Sequence, residues 1–190
     1  LIKPLFAARS ALLSATIFLA GGIIGTCHHL YFSCTPTVAM AWGSVFSALE
    51  VVPLTLVAYS ALDDLRRGKR TVWTIRYKWP IYFFVAVAFW NMVGAGLFGF
   101  MINPPIALYF MQGLNTTPLH GHAALFGVYG MLGIGLMLVC LRAMTPHVEW
   151  SDRWLSMSFW GLNIGVFTMC VGSLLPVGLL QTWASVDHGY

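Results

Sequence analysis

The fold is decided by residues 79–102, which read WPIYFFVAVAFWNMVGAGLFGFMI. This stretch contains no charged side chain, and a helix needs about 20 residues to cross a hydrocarbon core of about 30 Å. Similar apolar stretches recur along the chain, and polar segments such as 63–78 separate them. We therefore predict five membrane spans, over residues 10–32, 37–62, 79–102, 119–142 and 155–180.

The composition favours the same class of protein. Of the 190 residues, 58% are hydrophobic and only 8% are charged, whereas soluble domains have about a quarter charged residues. So few charged side chains cannot coat a water-soluble globule, and this excludes a soluble domain. The sequence shows no long-period repeat and no low-complexity tract. We predict a single all-α membrane domain over residues 1–190, a polytopic helical bundle, and expect it to be a fragment of a longer chain.

The ten basic side chains all fall on one side of the membrane if the spans alternate in direction. By the positive-inside rule, that side is cytoplasmic. The net charge of +4 therefore reports orientation in the bilayer and does not indicate a nucleic-acid partner. The basic residues are Lys3, Arg9, Arg66, Arg67, Lys69, Arg70, Arg76, Lys78, Arg142 and Arg153.

Small residues in the first span indicate close helix packing. Gly21 and Gly25 lie four residues apart, and small residues at that spacing let two helices approach closely in lipid. We interpret them as ordinary packing glycines. The cysteines show no CxxC spacing, and we interpret them as small hydrophobic residues; they are Cys27, Cys34, Cys140 and Cys170.

Four of the six histidines lie within predicted spans and at similar depth. His28 and His29 are near the end of the first span, and His120 and His122 are at the start of the fourth. Alternating spans place all four near the non-cytoplasmic face. A polar group without a partner costs several kcal/mol in hydrocarbon, whereas metal ligation satisfies imidazole nitrogens without water. One such histidine is readily explained as a packing residue, but four at one level indicate metal or cofactor sites.

The two pairs differ in spacing, and the spacing sets their directions. At about 100° per residue, His28 and His29 point closely enough for their imidazoles to converge on one ion. His120 and His122 are about 200° apart, so they face opposite sides of their helix and are expected to serve two different metals or cofactors. Gly121 leaves room for flat macrocycles on both sides, although it is equally explained as a packing glycine.

Together these motifs resemble a known family. The sequence contains GTCHHLYF at residues 25–32, FWNMVGAGLFGF at residues 89–100 and LHGHAALFGVYG at residues 119–130. These segments resemble the catalytic subunit of haem–copper oxidase relatives. Within that superfamily they are similar to bacterial nitric oxide reductase, closest to the quinol-dependent form. The paired histidines and the HGH unit are specific in combination, and the resemblance covers essentially the whole chain.

The resemblance implies a role for each histidine. His28 and His29 match two ligands of a non-haem iron. His120 matches the proximal ligand of a high-spin haem b, and His122 matches one axial ligand of a low-spin haem b. The family also needs a third iron ligand and a second ligand for the low-spin haem, both from helices outside this sequence. The five spans would then be the seventh to eleventh of a twelve-helix core, and the chain alone is expected to be inactive.

Glu50 is the only acid inside a predicted span. An ionised carboxylate there is costly unless it is paired, protonated or bound to metal, and a protonated packing carboxylate is the alternative to a functional group. The resemblance places Glu50 beside the binuclear centre, where it would tune the charge of the iron or pass protons as a catalytic group. Oxygen-reducing relatives have a lysine on this helix, and the second span has none, which favours nitric oxide reduction.

The implied function is reduction of two nitric oxide molecules to nitrous oxide and water, in the multi-pass bacterial inner membrane. Electrons would come from quinol, with cytochrome c as the alternative donor, and the remaining helices of the full-length chain would complete the bundle in the lipid bilayer. One alternative is an oxygen-reducing terminal oxidase with copper in place of the non-haem iron. Another is a haem-binding electron-transfer protein without a substrate site. A transporter or structural bundle leaves the four histidines unexplained.

Overall fold

The computed structural model of the chain describes residues 2–30, 33–68 and 71–189. Within these ranges the backbone forms helices and no strand, which confirms the predicted all-α membrane bundle. The predicted end of the first span at Phe32 falls outside the described residues, as do Tyr31 of the family-like segment and the basic residues Lys69 and Arg70.

Five helices among the described residues are long and apolar enough to cross a membrane. The fifth is longer than the predicted 155–180, because hydropathy marks where the apolar stretch ends and the helix continues past that point to His188. We call them spans 1 to 5, and they cover Ala11–Leu30, Thr37–Ser60, Lys78–Ile102, Thr116–Met144 and Asp152–His188.

No span is a single uninterrupted α-helix. Spans 3, 4 and 5 each contain a π-helical segment, a feature that is frequent at functional sites. The segments are α1 (Ile2–Ile24), a 3₁₀ turn (Gly25–Leu30), α2 (Thr37–Leu49), α3 (Val51–Arg67), α4 (Val72–Arg76), α5 (Lys78–Trp90), a π segment (Asn91–Phe98), α6 (Gly99–Ile102), α7 (Pro105–Met111), α8 (Thr116–Ala124), a π segment (Leu125–Gly130), α9 (Met131–Met144), α10 (Asp152–Phe167), a π segment (Thr168–Leu174) and α11 (Leu175–His188).

Span 2 is interrupted at Glu50, and its sequence explains why. Pro53 has no N–H to donate to the carbonyl of Leu49, and its ring would crowd that carbonyl. Accordingly α2 ends at Leu49 and α3 begins at Val51, while the N–H of Glu50 donates to the carbonyl of Ser47 at 3.1 Å. The interruption therefore falls on the one acid within the predicted spans.

Contacts between connections show that spans 2 to 5 alternate in direction. At one end, the Arg142 side chain donates to the carbonyl of Arg76 at 3.1 Å, and Lys78 pairs with Asp152 at 3.0 Å. We call this the basic end. At the other end, the N–H of Asn115 donates to the side-chain oxygen of Gln181 at 2.8 Å. The connections that hold the predicted basic residues 76, 78, 142 and 153 therefore lie together.

Spans 3, 4 and 5 share a buried apolar core, which includes Phe83, Trp90, Leu119 and Cys170. The indole of Trp90 donates to the side-chain oxygen of Asn163 at 2.9 Å, so its polar atom has a partner. Many large apolar side chains on the outer faces are exposed, as expected for a bundle surrounded by lipid and by other helices. The chain is thus a multi-pass membrane bundle.

Candidate haem and metal site

A cavity of about 410 Å³ lies between spans 1 to 4. Four of the five predicted site residues line it, namely His28, His29, Glu50 and His120. The sequence had placed these residues on three different spans, and the structure brings them to one cavity. His122, the fifth predicted site residue, does not line the cavity.

His28 and His29 lie in the 3₁₀ turn that ends span 1, and not in a regular α-helix as predicted. The tighter turn separates successive side chains by about 120°, yet the two ring centroids are 3.9 Å apart. His28 is buried, and its Nδ1 donates to the carbonyl of Gly25 one turn earlier. The imidazoles are therefore adjacent and both face the cavity.

The imidazole of His120 is held between two glycines of span 3. Its Nδ1 donates to the carbonyl of Gly94 at 2.9 Å. A Cβ added to Gly94 would lie 2.7 Å from the backbone of Ala123, so spans 3 and 4 touch closely at this level. A Cβ added to Gly99 would lie 2.9 Å from Cε1 of His120, so the ring occupies the space that a side chain there would fill.

His122 has different surroundings. Its Nδ1 donates to the carbonyl of Pro118 at 2.8 Å, within its own helix, and its side chain is exposed. The regular α-helix Thr116–Ala124 separates His120 and His122 by about 200°. Gly121, between them, has open space where a side chain would be, among the described residues. The two histidines thus face two different environments.

Three of the four histidines share one hydrogen-bonding pattern. A carbonyl oxygen only accepts, so Nδ1 holds the proton in His28, His120 and His122. Each Nε2 is then left with its lone pair, and an Nδ1–H donated to a backbone carbonyl is the usual way of orienting a metal-binding imidazole. The donor set therefore suits metal or haem iron. Within the described ranges, no group of three or more His, Cys, Asp or Glu side chains converges to hold a metal ion.

Glu50 reaches the cavity from the interruption in span 2 and lies against the backbone of span 1. A Cβ added to Gly21 would come within 2.6 Å of Cγ and 2.8 Å of Cδ of Glu50. The next glycine on the same side, Gly25, packs instead against the backbone of Ser47, with 3.2 Å between its added Cβ and the Ser47 nitrogen. The packing interpretation thus describes Gly25, whereas Gly21 makes room for a polar side chain.

Sequence reasoning missed the polar residues that complete the cavity wall. The amide of Asn103 donates to the hydroxyl of Ser47 at 2.7 Å, and both side chains are buried. Thr117 and Asn91 also line the cavity. Ser47 and Thr117 each lie three residues before a predicted site residue, which places them one turn away on the same helix face. Asn103 gave no such signal, because it comes from another span.

Comparisons with known proteins agree with this site. The model of the family described as cytochrome c and quinol oxidase polypeptide I matches residues 1–190. A nitric oxide reductase of Stutzerimonas stutzeri is 30% identical over 175 residues, which covers 87% of this chain and 35% of that protein. The chain therefore spans about a third of the length of this relative. With a match along its whole length, the chain belongs to the cytochrome c and quinol oxidase polypeptide I family.

Proposed function

We propose that this chain is part of a membrane nitric oxide reductase, which converts two NO, two protons and two electrons into N₂O and water. Family membership already makes it part of a haem–copper oxidase-type oxidoreductase. The observation that supports the finer function is the shared cavity, where three histidines meet the one acid within the predicted spans. The similarity to the nitric oxide reductase of Stutzerimonas stutzeri supports the same substrate.

Three cofactors fit the histidines. His120 would hold a high-spin haem b through Nε2, His122 would be one ligand of a low-spin haem b, and His28 with His29 would supply two ligands to a non-haem iron. The two irons at the cavity would supply electrons and hold the two nitrogens close enough to couple. The third iron ligand and the second ligand of the low-spin haem would come from other helices of the full-length protein.

The residues of this chain would orient those groups and handle the protons. Gly94 and Gly25 fix the imidazoles of His120 and His28 through their carbonyls. Glu50 would act as the catalytic acid that passes a proton into the cavity, since a carboxyl group there is within reach of both metal sites. Ser47 and Asn103 form a hydrogen-bonded pair in the same wall and would help to hold water there.

Quinol is the proposed electron donor, with cytochrome c as the alternative donor. His120 and His122 lie two residues apart on one helix, so the groups that they hold would be close enough for short-range electron transfer. The proposed location is the bacterial inner membrane with the basic end in the cytoplasm. A cysteine introduced at Arg66→Cys should resist an impermeant thiol reagent in intact cells, compared with the unmodified chain, and ready labelling would reverse the orientation.

The decisive experiment compares nitric oxide with oxygen, because the matching family also includes oxidases. In the purified full-length protein we expect consumption of NO in the presence of a quinol, with non-haem iron present beside haem. Copper instead of non-haem iron, with rapid oxygen consumption and no NO consumption, would identify an oxygen-reducing terminal oxidase. Haem without a carbon monoxide-binding fraction would identify an electron-transfer protein without a substrate site.

A further inference from the structure

Gly21 lies where span 1 faces the carboxyl of Glu50. An added Cβ would lie 2.6 Å from Cγ and 2.8 Å from Cδ of Glu50, and the nearest carboxylate oxygen is closer still. Real Cβ atoms essentially never approach another heavy atom within 3.0 Å. Glu50 therefore occupies the position of the missing side chain.

Neighbouring glycines show that this contact is specific to Gly21. Gly22, the next residue, has no described atom within 4 Å of an added Cβ. Gly25, one turn further, is tight only against the backbone of Ser47. Of these three glycines, Gly21 alone contacts the side chain of a proposed catalytic residue.

We propose that Gly21 is a positioning residue for Glu50: the absence of a side chain at residue 21 lets the Glu50 carboxyl lie at the cavity wall beside His28, His29 and His120. The proposal rests on the proposed function, because it assigns Gly21 a role in the reaction through Glu50. Helix packing alone would require a small residue against backbone, as at Gly25, and not one against a carboxyl group.

The geometry sets the size of the expected effect. Ordinary van der Waals contact begins at 3.4 Å, so the Cγ of Glu50, at 2.6 Å from the added Cβ, would have to withdraw by about 0.8 Å. A misplacement of about 1 Å in a reacting group can lower a rate by about a hundredfold. The flexible Glu side chain absorbs part of the shift, so we expect Gly21→Ala to lower turnover by at least about tenfold.

The test uses the full-length enzyme and four variants: Gly21→Ala, the matched control Gly22→Ala, Glu50→Asp, and Gly21→Ala combined with Glu50→Asp. Turnover is measured with NO, or with oxygen if that proves to be the substrate. Thermal unfolding, followed by haem absorbance, is measured in parallel. Because Asp is one carbon shorter than Glu, it leaves room for the added Cβ.

We expect Gly21→Ala to lower both turnover and the unfolding midpoint in the presence of Glu50, and Gly22→Ala to change neither. In the Glu50→Asp background, adding Gly21→Ala should change turnover by less than about twofold. Equal losses in both backgrounds would show that Gly21 acts through packing alone and would overturn the proposal. Coupling in unfolding without any effect on turnover would also overturn it, since the contact would then position nothing that the reaction uses. If oxygen is the substrate, the proposed function fails while this test still decides the role of Gly21.

Discussion

The two faces of span 4 have very different surroundings. On one face, His120 donates to the carbonyl of Gly94 on span 3 and shares a cavity with residues of spans 1 and 2. On the other, His122 donates only to Pro118 of its own helix, and Phe126, one turn further along that face, is 41% exposed. The described chain therefore builds the environment of one histidine and leaves the other open.

This difference teaches how the two proposed haem sites should respond to change. On the cavity face, His120 depends on the positions of neighbouring spans, so substitutions on those spans should alter its site. On the open face, His122 is oriented by its own helix, so the same substitutions should leave its site unchanged. The predictions below test that contrast, from the largest expected effect to the smallest.

Removing either histidine ligand should have the largest effect. In the full-length protein, His120→Ala should remove the carbon monoxide-binding haem and spare the low-spin haem, because each iron loses only its own ligand. His122→Ala should do the reverse. Both variants should lose essentially all turnover. Reduced and carbon monoxide-difference spectra measure the two haems separately, and identical spectra from the two variants would show that the faces of span 4 do not hold separate groups.

Removing one of the paired histidines should affect the metal and not the haems. His28→Ala or His29→Ala would leave a three-ligand site with two ligands, which should release most of the non-haem iron and nearly abolish NO reduction. Haem content should stay normal. Metal analysis checks the result, with His147→Ala as the control because His147 is an exposed histidine outside the spans. Full iron and full turnover in His28→Ala would make the pair ordinary packing residues.

Neutralising the acid should have a smaller effect, since it leaves every metal ligand in place. Glu50→Gln keeps the size of the side chain but cannot pass a proton, and a positioned acid or base contributes about 10²- to 10⁴-fold to a rate. We expect a loss in that range with haem and iron retained. Glu149→Gln, in an exposed connection, is the matched control. Unchanged turnover in Glu50→Gln would reduce Glu50 to a packing carboxylate.

The sequence predicted much of the fold and part of the site. Apolar length alone predicted an all-α bundle, and the regular helix Thr116–Ala124 preserved the predicted opposition of His120 and His122. The 3₁₀ turn that holds His28 and the π segments were not predicted, because changing a hydrogen bond by one residue leaves the apolar pattern unaltered. The role of Gly21 was also missed, since it depends on which residue of span 2 lies opposite, and that register is set by packing between spans.

The smallest expected effect comes from a single methyl group on the cavity face. In Gly99→Ala, the new Cβ would lie 2.9 Å from Cε1 and 3.2 Å from Nδ1 of His120, whose ring is already fixed by its hydrogen bond to Gly94. The ring must tilt and strain that bond, and losing such an orienting contact lowers metal affinity by about 10- to 100-fold.

We therefore expect the carbon monoxide-binding haem to dissociate about tenfold faster in Gly99→Ala, near the lower limit for such contacts, because the ring can tilt without losing its ligand atom. Transfer of haem to a scavenger protein measures the rate. Gly133→Ala, on span 4 with no described atom within 4 Å of its added Cβ, should behave as the unmodified protein. The low-spin haem should be unaffected in both variants, because Pro118 and not span 3 orients His122. Equal loss of both haems in Gly99→Ala would mean that span 3 supports the whole of span 4, and the contrast between its two faces would fail.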